Sequence, residues 1–186
     1  MNYPVYRFRA GGVWRYVAVA WAAPRSASVV ERLLSITEPE RLVVLNAALL
    51  AGPVHLATAV EYAVRAFING RNVARRLHVE VMLFAAATRE ISKALKLFEP
   101  RTDAGLLALA GIGSSAEEAL EAIRRVAKLV EGLNLAPPAP SLIRIEEVIH
   151  AFRITEEELG ATYAADRREA VEKNVLTRMA VEYLSR

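Results

Sequence analysis

The sequence predicts a single α+β domain: a small antiparallel or mixed β-sheet packed against several α-helices, with a helical C-terminal portion over residues 141–186. Two patterns predict it. Tyr3 to Ala22 alternates by period two around Gly11-Gly12, with Tyr6 and Phe8 before the glycines and Val17, Val19 and Trp21 after them, the spacing of a β-hairpin. After Gly52 the apolar spacing becomes helical, and strand-length runs are confined to Arg41–Ala47 and Leu106–Ile112. An order of ββαβααα, then βα, then ααα does not have the regular alternation of a doubly wound parallel sheet.

Each element has a local reason. Pro24 ends the hairpin, and Ser26 or Ser28 can cap a short helix that turns Val29, Val30, Leu33 and Leu34 toward the core. Gly52-Pro53 opens a helix that Asn69-Gly70 stops after about Phe67. From Asn72 to Phe98 the pattern is helical, but the stripe Leu77, Val81, Ala85 gives way to Ile91, Leu95, Phe98, so two helices broken near Ala87-Thr88 are expected. Ser115-x-x-Glu118 is a capping box for a helix to about Val130. The segment Ala136-Pro137-Pro138-Ala139-Pro140 reads as a linker. Beyond it come a helix around Leu142 to Phe152, a capped turn from Thr155, and a last helix opened by Asp166-x-x-Glu169.

Composition narrows the chemistry. The 186 residues, 54% hydrophobic, suffice for one buried core, and no cysteine is present, which removes disulfides, thiol nucleophiles and Cys-based zinc sites and fits a reducing cytoplasm. The longest uncharged run, Leu42 to Val60, contains Asn46, Gly52-Pro53 and His55 and reads as strand, turn and helix rather than a membrane span. The first residues, with Arg7 and Arg9 among aromatics, lack the apolar region of a signal peptide. A soluble cytoplasmic protein without membrane attachment is expected. His55, His78 and His150 form no H-E-x-x-H pair, and the single Glu147-x-x-His150 is half of a di-iron pattern. No cofactor or metal is implied.

One turn invites a nucleotide. Gly111-Ile112-Gly113-Ser114-Ser115-Ala116 follows a strand and opens a helix, matching the G-x-G-x-x-A variant of the dinucleotide fingerprint, although Glu131 does not follow a second strand. The other reading is a tight turn with a serine cap. Charge is more informative: residues 65–96 hold seven Lys and Arg against Glu80 and Glu90, in a chain of net charge +3. Arg71 and Arg75 are spaced i, i+4, and Arg89, Lys93 and Lys96 follow i, i+4, i+7, so each set is expected to share a helical face able to grip phosphates. The last helix carries two apolar stripes, one with Val171, Val175 and Met179 and one with Leu176, Ala180, Tyr183 and Leu184. Val175, Leu176, Met179 and Tyr183 are the candidate partner contacts.

An ordered set of residues resembles a known family. Leu45-Asn46-Ala47, Gly52, His55-Leu56, Ala59, Arg65-Ala66-Phe67, Gly70-Arg71-Asn72, Glu80 and Ala85-Ala86-Ala87-Thr88-Arg89-Glu90-Ile91-Ser92-Lys93-Ala94-Leu95 are similar to the small accessory subunit of the KEOPS complex, the family of the PRPK-binding protein TPRKB. The similarity is densest over residues 41–96; Glu90 stands where the family usually has glutamine. The resemblance implies a non-catalytic subunit that docks on the small atypical kinase/ATPase subunit and, through it, the threonylcarbamoyl transferase subunit. It also implies binding of tRNA at its single-stranded CCA end, within a complex that makes threonylcarbamoyladenosine. On that reading Arg71, Arg75, Arg89 and Lys93 contact phosphates, His55 stacks on or hydrogen-bonds a base or else orders the turn at its helix start, and Asn72 touches RNA or caps the next helix. A small nucleotide-binding protein using Gly111–Ser115 and a purely structural adaptor are the alternatives.

Overall fold

A computed structural model describes residues 2–36 and 41–186. Strand β1 (Val5–Ala10) turns at Gly11 and Gly12 into β2 (Val13–Pro24), with Ala10 paired to Val13. Both glycines have positive φ, +58° and +81°, the pattern of a two-residue type I′ turn that matches the strand twist. Next in order are α1 (Ala27–Ile36), β3 (Leu42–Asn46), α2 (Pro53–Ile68), α3 (Leu77–Ala85), α4 (Ile91–Phe98), β4 (Leu107–Gly113), α5 (Ala116–Leu129) and β5 (Leu133–Ala136). A 3-10 turn at Pro140–Leu142 leads to α6 (Ile145–Phe152), α7 (Glu156–Ala161) and α8 (Arg167–Leu184).

The sheet is antiparallel throughout, in the order β1-β2-β4-β3. Strand β2 is long enough to pair first with β1 and then, through Trp21 to Pro24, with β5. Strand β5 has no counterpart among the elements the sequence predicts, which pass from a helix ending near Val130 to the proline-rich linker. Its four residues are too few for a periodic signal and owe their conformation to the edge that β2 leaves open.

Both sheet faces are covered. Val17, Val19, Trp21, Val43, Leu45, Ala108 and Ala110 face the layer built on α2 and α3, while Ala18, Ala20, Ala22, Leu42, Val44, Leu107 and Leu109 face α1 and α5. This explains why β2 runs Val-Ala-Val-Ala-Trp-Ala-Ala without polar alternation. Val30 and Leu33 of α1 are buried, whereas Leu34, expected inward, is exposed because the apolar arc of so short a helix is narrower than the four residues assigned to it. Helix α8 packs on α2 and α3 and receives α6 and α7. Its Glu172 reaches the start of α2, where the backbone N–H of His55 donates to Oε1 at 3.0 Å. Gly52, the N-cap of α2, offers no side chain of its own, and α8 supplies the missing acceptor. Among the described residues no helix is long and apolar enough to cross a membrane.

Candidate nucleic-acid and partner surfaces

The segment between α2 and α3 carries the densest positive charge. Helix α2 ends in a Schellman motif: Asn69 is the C-cap, Gly70 has φ +64°, the Gly70 N–H donates to Phe67 O, and the Arg71 N–H donates to Ala66 O at 2.8 Å. The chain does not re-enter a helix at Asn72. Residues 71–76 form a loop, and α3 begins at Leu77.

A buried carboxylate sets this boundary. Glu80 is fully enclosed, and its Oε2 accepts the backbone N–H groups of Val73 at 3.0 Å and Ala74 at 2.7 Å. Those amides are thereby withdrawn from a helix. Asn72 donates to Ala74 O at 2.9 Å, so its side chain braces the loop rather than capping α3, whose N-cap is Arg76. Arg71 and Arg75 therefore do not share a helical face; they are exposed loop residues held from beneath. Periodicity could not show this, because a buried glutamate that caps a loop and a solvated glutamate on a helix have the same spacing.

The second basic set also divides. Arg89 lies before α4, in the turn that Ala87 enters with φ +46°. Its guanidinium donates to Glu182 Oε1 at 3.0 Å and to Ser185 Oγ at 3.0 Å, so it ties α8 to the turn. Lys93 and Lys96 remain on α4, three residues apart on one face.

His55 offers nothing to a base. It is fully buried, with Nδ1 accepting the Ala51 N–H at 3.0 Å and Nε2 donating to Ala85 O at 2.9 Å. Phe98 and Phe152 stand edge-on to the ring at 6.0 and 5.8 Å. Burial pushes its pKa down from 6.5 to about 4, so the neutral imidazole is a crosslink between the α2 entry and the end of α3. Of the two roles open to His55 from sequence, the ordering of the turn is the one with this geometry.

The two stripes of α8 separate cleanly. Val171, Val175 and Met179 are wholly buried, so Val175 and Met179 belong to the core and are withdrawn as partner contacts. Leu176 and Tyr183 are half-buried, and Tyr183 stacks on Tyr62 of α2 with centroids 4.4 Å apart. The apolar side chains of α8 that face solvent are Val181 and Leu184, 64% and 81% exposed. The partner role expected of Val175 and Met179 fails because α8 meets α2 and α3 along one stripe and α6 and α7 along its flank, a placement that a helical wheel does not contain.

The turn at Gly111–Ser115 is closed. A Cβ on Gly111 would lie 2.1 Å from Ala119 O, and one on Gly113 would lie 2.6 Å from the Glu118 Cβ, so both glycines serve the close approach of α5 to β4. Ser115 Oγ accepts the Glu118 N–H, and the Glu118 carboxylate accepts the Ser114 N–H and hydroxyl. An internal carboxylate thus holds the place a phosphate would need. Beside this turn runs a groove of about 840 Å³ whose lining includes Arg15, Arg41, Arg75, Arg76 and Arg125. These come from β2, the start of β3, the 71–76 loop and α5; their convergence is tertiary and has no sequence signature.

A family model described as kinase binding protein CGI-121 matches residues 24–183. The chain belongs to this family. The matched span contains the whole of the 41–96 resemblance to the KEOPS accessory subunit, which is the same family, and it includes α2 through most of α8. Among curated proteins no match was found. Kinase binding is the property that membership of the CGI-121 family carries, and α8 presents Val181 and Leu184 as apolar side chains left largely in solvent.

Proposed function

We propose that this CGI-121 family member is a non-catalytic subunit of the KEOPS tRNA-modifying assembly in the cytoplasm. It docks on the small atypical kinase/ATPase subunit, and through it reaches the threonylcarbamoyl transferase subunit, while binding tRNA at its single-stranded CCA end. Family membership supports the kinase partner. The observation that carries the RNA half is the loop holding Arg71 and Arg75: its backbone is pinned by buried Glu80, while the guanidinium groups stay in solvent, an arrangement preorganised for phosphate contact. Lys93 on α4 adds a further cation. Arg89 supports the surface by fixing the turn to α8 rather than by holding phosphate.

The test is a binding titration with intact tRNA and tRNA lacking its CCA end, at two salt concentrations, for the wild type and for Arg71→Glu combined with Lys93→Glu. Salt-sensitive binding that depends on the CCA end and is weakened about tenfold or more by the double variant is expected. Wild-type affinity in the double variant would remove these residues from the site. Absence of RNA binding at low salt would leave a docking adaptor.

A further inference from the structure

No residue of α8 lines the arginine-rich groove, and its chemistry differs from the apolar end of that helix. Its floor is aliphatic, with Ile36, Leu42, Ile68, Leu77, Ile112 and Leu129 among the lining residues, and Ile68 and Leu129 are about half exposed. Among the described lining residues Phe67 is the only aromatic. Arg15, Arg41, Arg75 and Arg76 make no side-chain hydrogen bond or salt bridge with the described residues, although Arg15 and Arg41 lie close enough to Glu118 for their charges to help hold its carboxyl below the usual range, so the guanidinium groups stand around an apolar floor with that carboxylate among them.

Two carboxylates decide the occupant. Glu118 and Glu121 of α5 also line the groove, and Glu118 is fixed there by its bonds to Ser114. A phosphodiester strand carries charge at every residue and would meet both glutamates, with one aromatic ring on which to stack its bases. A peptide can set acidic residues against the arginines, neutral ones beside the glutamates, and aliphatic anchors into the floor.

We propose that the groove between β2, α2 and α5 is the docking site for an acidic amphipathic peptide segment of a partner protein, bordering the RNA surface at Arg75 and apart from the exposed face of α8.

The test pans a random phage-displayed peptide library against the full chain, then measures a synthesised winner by fluorescence anisotropy against the wild type, Arg15→Glu combined with Arg41→Glu, and Leu129→Glu. All three positions are exposed or half-buried, and circular dichroism verifies the fold. Expected is a consensus of Asp or Glu interleaved with Leu, Ile or Phe, bound about tenfold or more weakly by both variants and not displaced by oligoadenylate. A basic consensus, no consensus, or affinity untouched by the variants overturns the proposal. Competition by oligoadenylate with the same variant sensitivity also overturns it and makes the groove a nucleic-acid channel. Because Arg71 and Lys93 do not line the groove, loss of RNA binding on their substitution leaves this result unchanged.

Discussion

Glu80 and Arg186, 106 residues apart, form a buried ion pair that joins the end of α8 to the loop carrying Arg71 and Arg75. The carboxylate is used on both sides: Oε1 meets the Arg186 guanidinium and Oε2 holds the Val73 and Ala74 amides. Arg186 also lies over the Phe84 ring, 3.8 Å from its centroid, and donates to Glu182 at 3.0 Å. Glu182 in turn accepts Arg89. Helix α8 and the basic loop are therefore fastened to one another through a shared carboxylate.

Removing one partner of such a pair strands the other without compensation. Arg186→Ala is expected to cost on the order of 3 kcal/mol, because Glu80 keeps its place in the core. Glu80→Gln should cost less, since an amide oxygen in the place of Oε2 can still accept both loop N–H groups and Arg186 keeps Glu182 as a partner. Hydrogen exchange reads the consequence directly: the Val73 and Ala74 amides should lose protection in Arg186→Ala before those of β4. Equal protection in the wild type and the variant would mean that the loop is ordered without the pair.

Much of the architecture is legible in the chain because local signals and tertiary need coincide. Gly11-Gly12, Gly52-Pro53, Asn69-Gly70 and the caps at Ser115, Thr155 and Asp166 all mark the boundaries at which the elements turn, and the break near Ala87-Thr88 falls where Ala87 takes positive φ. The illegible part depends on residues far apart in sequence or on packing between elements. Glu80 unwinds the helix expected from Asn72, Glu182 engages Arg89, and α2 with α3 buries the stripe of Val175 and Met179. His55 stands out in the sequence as a histidine at a helix start, but only packing by Phe98 and Phe152 reveals a buried crosslink.

The buried imidazole makes a pH prediction. His55 has a folded pKa of about 4 against 6.5 for the free group, so between these values the unfolded chain binds more protons than the folded one. Its contribution is complete above pH 6.5 and is lost as pH falls toward 4, a total on the order of 3 kcal/mol. Half-buried His78 is shifted the same way by burial and Arg76, so the wild type alone does not isolate the effect. Urea midpoints at pH 7 and pH 5 should converge in His55→Gln relative to the wild type; an undiminished pH dependence would show that His55 is not its source.

The contact between α8 and the start of α2 predicts a coupled pair of substitutions. A Cβ on Gly52 would lie 2.3 Å from Glu172 Oε1, so Gly52→Ala must push the carboxylate off the His55 amide. Burial raises the Glu172 pKa, and the backbone amides it accepts work against that rise. Gly52→Ala and Glu172→Ala are each expected to cost about 1 kcal/mol, the worth of a helix cap, and their double variant little more than either. Additive losses in thermal melts would mean that the two residues act on α2 independently.

Exposed and buried residues of α8 should behave oppositely toward the kinase. Val175→Asp or Met179→Asp places a charge in the core layer that also holds Val171, Leu56 and Phe84, and is expected to unfold the domain, so loss of binding there carries no information on docking. Val181→Glu with Leu184→Glu changes side chains that are already in solvent, and stability should stay within about 0.5 kcal/mol of the wild type. If the end of α8 is the docking face, this double variant will lose at least about tenfold in affinity for the kinase subunit by calorimetry, as removal of apolar anchors does elsewhere. Arg89→Ala adds a control that separates position from contact: it removes the Arg89 ties between the α8 end and the turn, leaving that of Arg186 to Thr88 O, and does not alter Val181 or Leu184. Its affinity should fall less than that of the double variant. Wild-type kinase binding by Val181→Glu/Leu184→Glu would move the interface off this face altogether.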